Sequence, residues 1–496
     1  MRNLAFIPGI VAIAACAPAS RDTVRTAPSS ASWEEFRSTH FVVDVARRDR
    51  DPARLVGTFE ELHAAVLAAL VSEPVEISGR VRVVVLSSRR ELRQFTGADD
   101  VVGLFWVSRL GEPTILLAAE DLDDIPQIIA HELTHYLSRY LFPQQPFWFA
   151  EGLAQFVEGV AKRDGDGRRW AGADPTDGWV AGAIKLTPVE DLVTRTFIGW
   201  FDDPYLTSWI LYRFLWNERS SQLSRYQRAL SEGQAPDDAW RSAFPEWNIA
   251  TGTIRLLNND LVQHQRSGRG LRWEVKVPEV DRTFTAAAGS AASVQMVLLE
   301  PRLRTTNRLL TPRVRRETAE LVLREDPTNP EATAELAAVA GTPLLPQLRA
   351  VAAARPNDGR AWFLLGREET DPARREAALR HAVEHWPDGA LAHAALAFQL
   401  ASTGRAREGL PIANRAVDLA PWSADAVAAL AKVALELGKC AEAVLLQSRA
   451  VEISHAHGVG SVGSDVKELG VQLASYRQRC TPSTGTSPPA ASSAAR

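Results

Sequence analysis

Between positions 131 and 159 the chain reads HELTH and then, after a short gap, FWFAEGLAQFVEG. If the first run is helical, successive residues turn by about 100°, and His131 and His135 stand one above the other on a single face. Two imidazoles so placed converge on one cation, and Glu132, about 100° around from His131, borders the same pocket. A zinc site of this kind needs a third protein ligand and an open fourth position for water. The second run offers one: Glu151 lies opposite an apolar stripe, with Gln155 and Glu158 on its own face. Two amphipathic helices joined by a short loop bring such a carboxylate to the histidines.

The elements that must hold these groups are legible around them. DDIPQIIAHELTHYLSRYLF reads as a helix, with Asp124 as its cap, Gln127 three residues on and Pro126 in the first turn. Ile125, Ile129, Leu133, Tyr136, Leu137 and Tyr140 gather on the side away from the histidines. Pro143 and Pro146 mark a loop, after which Phe149, Leu153, Phe156, Val157 and Val160 form a second core stripe. Upstream, HFVVDVA and RVRVVVLSS read as strands, DPARLVGTFEELHAAVLAAL as a helix, and GLFWVSRL with PTILLAA as a hairpin through Gly111. Mixed strands ahead of long helices predict an α+β domain over 33–265. Residues 271–300 read as strands and turns without a clear period, so 266–300 is a β-rich linker whose membership stays open.

HELTH followed by PFWFAEGLAQF resembles the gluzincin metallopeptidases, especially the peptidase-MA-like domains of bacterial exported proteins. The resemblance implies a zincin-like fold in which His131, His135 and Glu151 bind Zn2+ and Glu132 is the catalytic base, with Glu158 the alternative ligand. Further on, YLTSWILYRFL resembles the family's helix that carries a tyrosine aimed at the reacting carbonyl, which assigns that role to Tyr205. The aminopeptidase branch follows that tyrosine with Lys-Gly-Ala, where this chain has Thr207 and Ser208, and its G-x-M-E-N substrate motif is absent. Exopeptidase action is therefore not implied, and a purely packing role for Tyr205 stays open.

The rest of the chain sets the context. At 496 residues it exceeds one ordinary core, and 56 basic against 60 acidic residues, without a basic stripe, argue against nucleic acid as a partner. MRNLAFIPGIVAIAAC resembles the signal and lipobox of bacterial lipoproteins, which implies cleavage after residue 15 and a lipid-modified Cys16. The implied location is the bacterial envelope outside the cytoplasm, with the outer membrane favoured in a diderm because Ala17 is not aspartate. Residues 16–32, rich in Pro, Ser and Ala, read as a flexible tether, and 481–496 as a disordered tail.

From 301 to 480 the chain is Ala/Leu-rich and repeats. Segments starting at Pro387 and Pro421 are 34 residues apart and align Leu396 with Leu430, Gly404 with Gly438 and Ala416 with Ala450. That period resembles tetratricopeptide repeats (TPRs), with a shorter copy at Pro356 and a degenerate one near Pro327, and predicts an all-α solenoid that ends in a capping helix. Stacking of successive helices then puts Cys440 and Cys480 at the same end of neighbours, in reach of a disulfide; two unpaired small core residues are the alternative.

Two functions fit these residues. One is a lipid-anchored zinc peptidase acting on extracytoplasmic proteins or peptides, whose repeats bind substrate or a protein partner. The other is a silent peptidase fold that serves as a TPR scaffold of an envelope complex. Glu132, which binds no metal in the implied site, favours the first.

Overall fold

A computed structural model describes residues 33–46, 51–73, 75–96, 101–120, 122, 126–172, 186–194, 204–267, 270–300, 311–456 and 466–481. Cys16, the tether, the cap Asp124 and residues 482–496 of the tail lie outside them. In chain order the first part holds β1 (Trp33–Arg37), β2 (Phe41–Ala46), α1 (Pro52–Leu70), β3 (Val81–Leu86), α2 (Arg89–Thr96), β4 (Gly103–Val107), β5 (Pro113–Ala118), α3 (Pro126–Leu141) and α4 (Phe147–Val157). Then come β6 (Arg169–Ala171), α5 (Val189–Thr194), α6 (Pro204–Glu218), α7 (Ser220–Ser231), α8 (Pro236–Ala243), α9 (Leu256–Ser267), β7 (Trp273–Val275), β8 (Thr285–Ala288) and α10 (Ala291–Val297).

Six strands make one sheet in the order β4-β5-β3-β2-β1-β8. β2, β3 and β5 run parallel, which requires crossovers; α1 supplies the first, and α2 with β4 the second. The run VRVVVL in β3 is buried throughout because helices cover both faces. Val81, Val83 and Val85 pack with α1 and with Ile129, Leu133 and Leu137 of α3. Val84 and Leu86 pack on the other side with Leu92 and Phe95 of α2 and with Val294 and Leu298. Arg82, also on that second face, donates to Asp44 at 2.7 Å and to Ser293 at 3.0 Å, so its buried charge is met.

The stretch expected as strands and turns divides three ways. β7 pairs with β6, β8 adds to β1 at the far edge of the main sheet, and 291–297 is a helix. Ser290 starts that helix by accepting from the Ser293 N–H, and Val294 and Leu298 fall one turn apart on the face that meets the sheet. With seven residues, the first of them small, the helix is too short to show this period in the sequence.

α1 carries a polar cluster whose acid response can be worked out. His63 is buried at 2% exposure, stacked on His40 with ring centroids 4.1 Å apart, and its Nε2 has no hydrogen-bond partner. Burial first, and the neighbouring His40 second, push its pKa from 6.5 down to about 3. The folded state therefore holds His63 neutral, and its contribution is complete above pH 6.5 and lost as pH falls from there toward 3. We expect wild-type stability to fall between pH 6.5 and 4.5 by up to about 1.4 kcal/mol per pH unit more than that of His63→Leu, in urea unfolding at fixed temperature. Equal slopes for the two proteins would contradict this.

The second part is helical: α11 (Pro312–Glu325), α12 (Pro330–Ala340), α13 (Leu345–Ala354), α14 (Gly359–Glu368), α15 (Pro372–His385), α16 (Ala390–Ser402), α17 (Ala406–Leu419), α18 (Ala424–Glu436), α19 (Cys440–Ala456) and α20 (Val466–Cys480). α16 begins at Ala390 and α18 at Ala424, α17 at Ala406 and α19 at Cys440, so each helix recurs after 34 residues. Gly404 and Gly438 close equivalent turns with φ of +80° and +77°, which side chains bearing a β-carbon rarely adopt. Ala416 and Ala450 are both fully buried. The helices within 312–456 and 466–480 form TPR-like repeats, with α20 as the last helix described. A disulfide joins Cys440, the first residue of α19, to Cys480, the last of α20, with Cα atoms 5.4 Å apart. Among the described residues no helix is long and apolar enough to cross a membrane.

The two parts share their cores. Leu419, Ala420 and Trp422 belong to the cluster that contains α1 and α3, and Leu110 of the β4–β5 hairpin packs with Phe363, Leu391 and Leu396. Ion pairs flank these contacts: Arg80–Asp388 at 2.8 Å, Arg109–Glu335 at 2.9 Å, and Arg360 with Glu112.

Candidate metal centre

α3 lies between the sheet and the solenoid. Ile129, Leu133 and Leu137 face the sheet, while Tyr136 and Tyr140 reach the repeats: Trp422 stands edge-on to Tyr140 at 4.6 Å, and the Tyr140 hydroxyl lies 2.7 Å from the Ser78 carbonyl and 3.1 Å from that of Leu419. The remaining face presents His131 and His135. Behind the Pro143–Pro146 loop, α4 returns against α3 and is pressed on the other side by α6. Gly152 permits that approach, since a β-carbon there would lie 2.5 Å from the Ser208 carbonyl oxygen. The glycine next to Glu151 therefore sets how α4 sits.

Three donor atoms converge where the helices meet. His131 Nε2 and His135 Nε2 are 3.2 Å apart, and Glu151 Oε2 is 3.5 Å from the first and 3.6 Å from the second. A tetrahedral zinc with bonds of ~2.0–2.2 Å requires ligand atoms roughly 3.3–3.6 Å apart, so the donor set fits that ion without rearrangement. The side chains are 20%, 14% and 11% exposed, which leaves the cluster open on one side. Glu158 occupies a different place. Its Oε2 bonds His131 Nδ1 at 3.0 Å, the ring nitrogen facing away from the cluster, and so fixes the tautomer that leaves Nε2 free to ligate.

Glu132 is buried between α3 and the edge strand β4. The Phe105 N–H donates to its carboxylate, and Gly103 leaves it room: a β-carbon there would lie 2.9 Å from Glu132 Oε1. Burial pushes the Glu132 carboxyl up, against the pull of His131 and His135, and the net displacement is upward. Glu151 goes the other way: burial alone would raise it, but His135 and His131 bring it down to about 2. The two carboxylates thus separate into an anionic ligand and a stronger base.

Tyr205 stands in the first turn of α6, its ring edge-on to Phe147 at 5.4 Å, and its carbonyl accepts from Gln155 at 3.1 Å. It is thus beside the helix that bears Glu151. Sequence reasoning did not find Gly103 or Phe105, which act through missing volume and backbone; it singled out Glu158, but as an alternative ligand and not as the Nδ1 partner of His131.

No family model matches the chain, and no curated protein matches it. Among solved structures it is similar to TTC0263, a thermophilic TPR protein of Thermus thermophilus, at 21% identity over 38% of this chain and 99% of that one, TM-score 0.28. It is also similar to PilW, a widely conserved type IV pilus biogenesis factor, at 19% identity over 39% and 89%, TM-score 0.29, and to yeast Tom70 at 11% over 72% and 75%, TM-score 0.26. The repeat architecture given above rests on the 34-residue recurrence of its own helices.

Proposed function

We propose that the chain is a zinc-dependent peptidase of gluzincin type fused to TPR-like repeats that bind a substrate or partner protein. The observation that supports this most is the meeting of His131, His135 and Glu151 at tetrahedral spacing beside a buried Glu132. Zinc held there would act as a Lewis acid and lower the pKa of a bound water to ~7. Glu132 would take the proton from the attacking water and deliver it to the departing amine. Glu151, held anionic, and Glu158, holding His131 in one tautomer, keep the ligands in place; Tyr205 is proposed as a donor to the oxyanion. A peptide substrate fits the position of Glu132, because β4 ends the sheet beside it and a sheet edge can accept an extended chain.

Purified chain should cleave an unfolded protein, stop on chelation and resume when one equivalent of Zn2+ is returned. Cleavage that survives chelation would sink the metal reading. A zinc-loaded chain that cuts nothing would favour the scaffold reading, which the TPR-like helical pairs of α11 to α20 support on their own. The lipobox-like IAAC supports a further proposal, that lipid on Cys16 anchors the protein in the envelope. Cys16→Ala should abolish lipid labelling and release the protein from membranes; unchanged labelling and membrane retention would contradict the anchor.

A further inference from the structure

A second pair of histidines lies far along the chain from HELTH. In α15 the sequence reads HAVEH, so His381 and His385 stand one turn apart with Glu384 between them in sequence. Donor atoms of the three fall within 4.8 Å of one another, and among the described residues the one other such group is His131, His135 and Glu151. They lie outside the buried stripe that seats the helix. α15 is seated by Ala378, Leu379 and Ala382; His385 borders that face and is half-buried, while His381 and Glu384 are exposed. The two rings are nearly parallel, 3° apart, with centroids 6.3 Å apart, about the rise of one helical turn. His381 is held by stacking on Trp362 of α14 at 4.6 Å, and the Trp362 indole N–H is fixed in turn by the Pro356 carbonyl at 2.8 Å. The stack restricts one arm of the chelate, and Glu384 and His385 would have to turn to bring the donors to the ~3.3–3.6 Å spacing of a tetrahedral ion.

We propose that His381, Glu384 and His385 form a second, solvent-facing site for a borderline divalent cation, Zn2+ or Cu2+, independent of the proposed catalytic centre. Two imidazoles and a carboxylate suit these ions, and the usual order of affinities makes Cu2+ the tighter. Exposure leaves the remaining coordination positions to water or to a donor from another protein, and denies the site the dry enclosure that hydrolysis would need. It is a binding site on the repeats.

The test titrates metal-stripped full-length chain with Zn2+ and, separately, Cu2+. Wild type should bind two equivalents, and His131→Ala/His135→Ala and His381→Ala/His385→Ala should each lose a different one. Alanine is the best helix former, so the second double variant should keep the metal-free melting temperature of wild type. In the His131→Ala/His135→Ala chain, Cu2+ should quench fluorescence that Trp362→Phe removes. His385→Ala alone should weaken the second equivalent by at least the ~10–100-fold that losing even an orienting partner costs. Equal stoichiometry and affinity in His381→Ala/His385→Ala and wild type would overturn the proposal. So would a wild-type chain that binds one equivalent and loses it with His131 and His135, an outcome that leaves the catalytic proposal standing.

Discussion

Glu132→Gln is expected to keep zinc at the His131–His135–Glu151 site and to lose peptide hydrolysis. The three donor atoms that meet at 3.2–3.6 Å belong to other residues, so an amide in place of the Glu132 carboxylate leaves them where they are. It also preserves the size that fits under Gly103, but it cannot take a proton. A positioned general base contributes roughly 10²–10⁴-fold, and kcat should fall by at least that factor. His131→Ala, His135→Ala and Glu151→Ala should lose activity together with this zinc. Glu158→Ala should keep the ion but bind it ~10–100-fold more weakly, as expected for the partner that orients a ligand. Full activity in Glu132→Gln would remove the assigned base.

Trp422→Ala should destabilise the chain by about 3–5 kcal/mol, the usual loss for truncating a buried tryptophan, although Trp422 belongs to the repeats. Its ring is 3% exposed and packs edge-on to Tyr140 and Tyr136 of the helix that carries both histidines. Loosening α3 there should also weaken zinc binding at His135, one residue from Tyr136. Urea unfolding and zinc titration of the same variant measure both effects, and Trp422→Phe should recover much of each. A loss under ~1 kcal/mol, the scale of a surface substitution, with unchanged zinc affinity would show that the repeats do not brace the metal helix.

How far the sequence reached depended on whether a feature is a matter of angle or of contact. Four-residue spacing is enough to place His131 and His135 together, and seven-residue spacing to bring Glu151 and Glu158 to one face. It does not say which nitrogen Glu158 meets, since that depends on how the ring is turned. Gly152 in the sequence is a weak point in a helix, costing ~1 kcal/mol against alanine, until Ser208 is seen against it. Tyr136 and Tyr140 belong to an apolar stripe that predicts one core, whereas their partner Trp422 lies 282 positions beyond Tyr140 in the chain. The 34-residue repeat was legible because the copies at Pro387 and Pro421 bury the same alanines and close the same glycine turn. The helix at 291–297 was not, because seven residues that open on Ala291, Ala292 and Ser293 are too few to show a period.

The most direct measurement is anomalous diffraction at the zinc edge from crystals of the zinc-loaded chain. The site proposed here predicts a peak ~2.0–2.2 Å from His131 Nε2, His135 Nε2 and a Glu151 carboxylate oxygen, with Glu158 still on His131 Nδ1. A zinc-loaded crystal with no peak there, or with Glu158 in the place of Glu151, would contradict it.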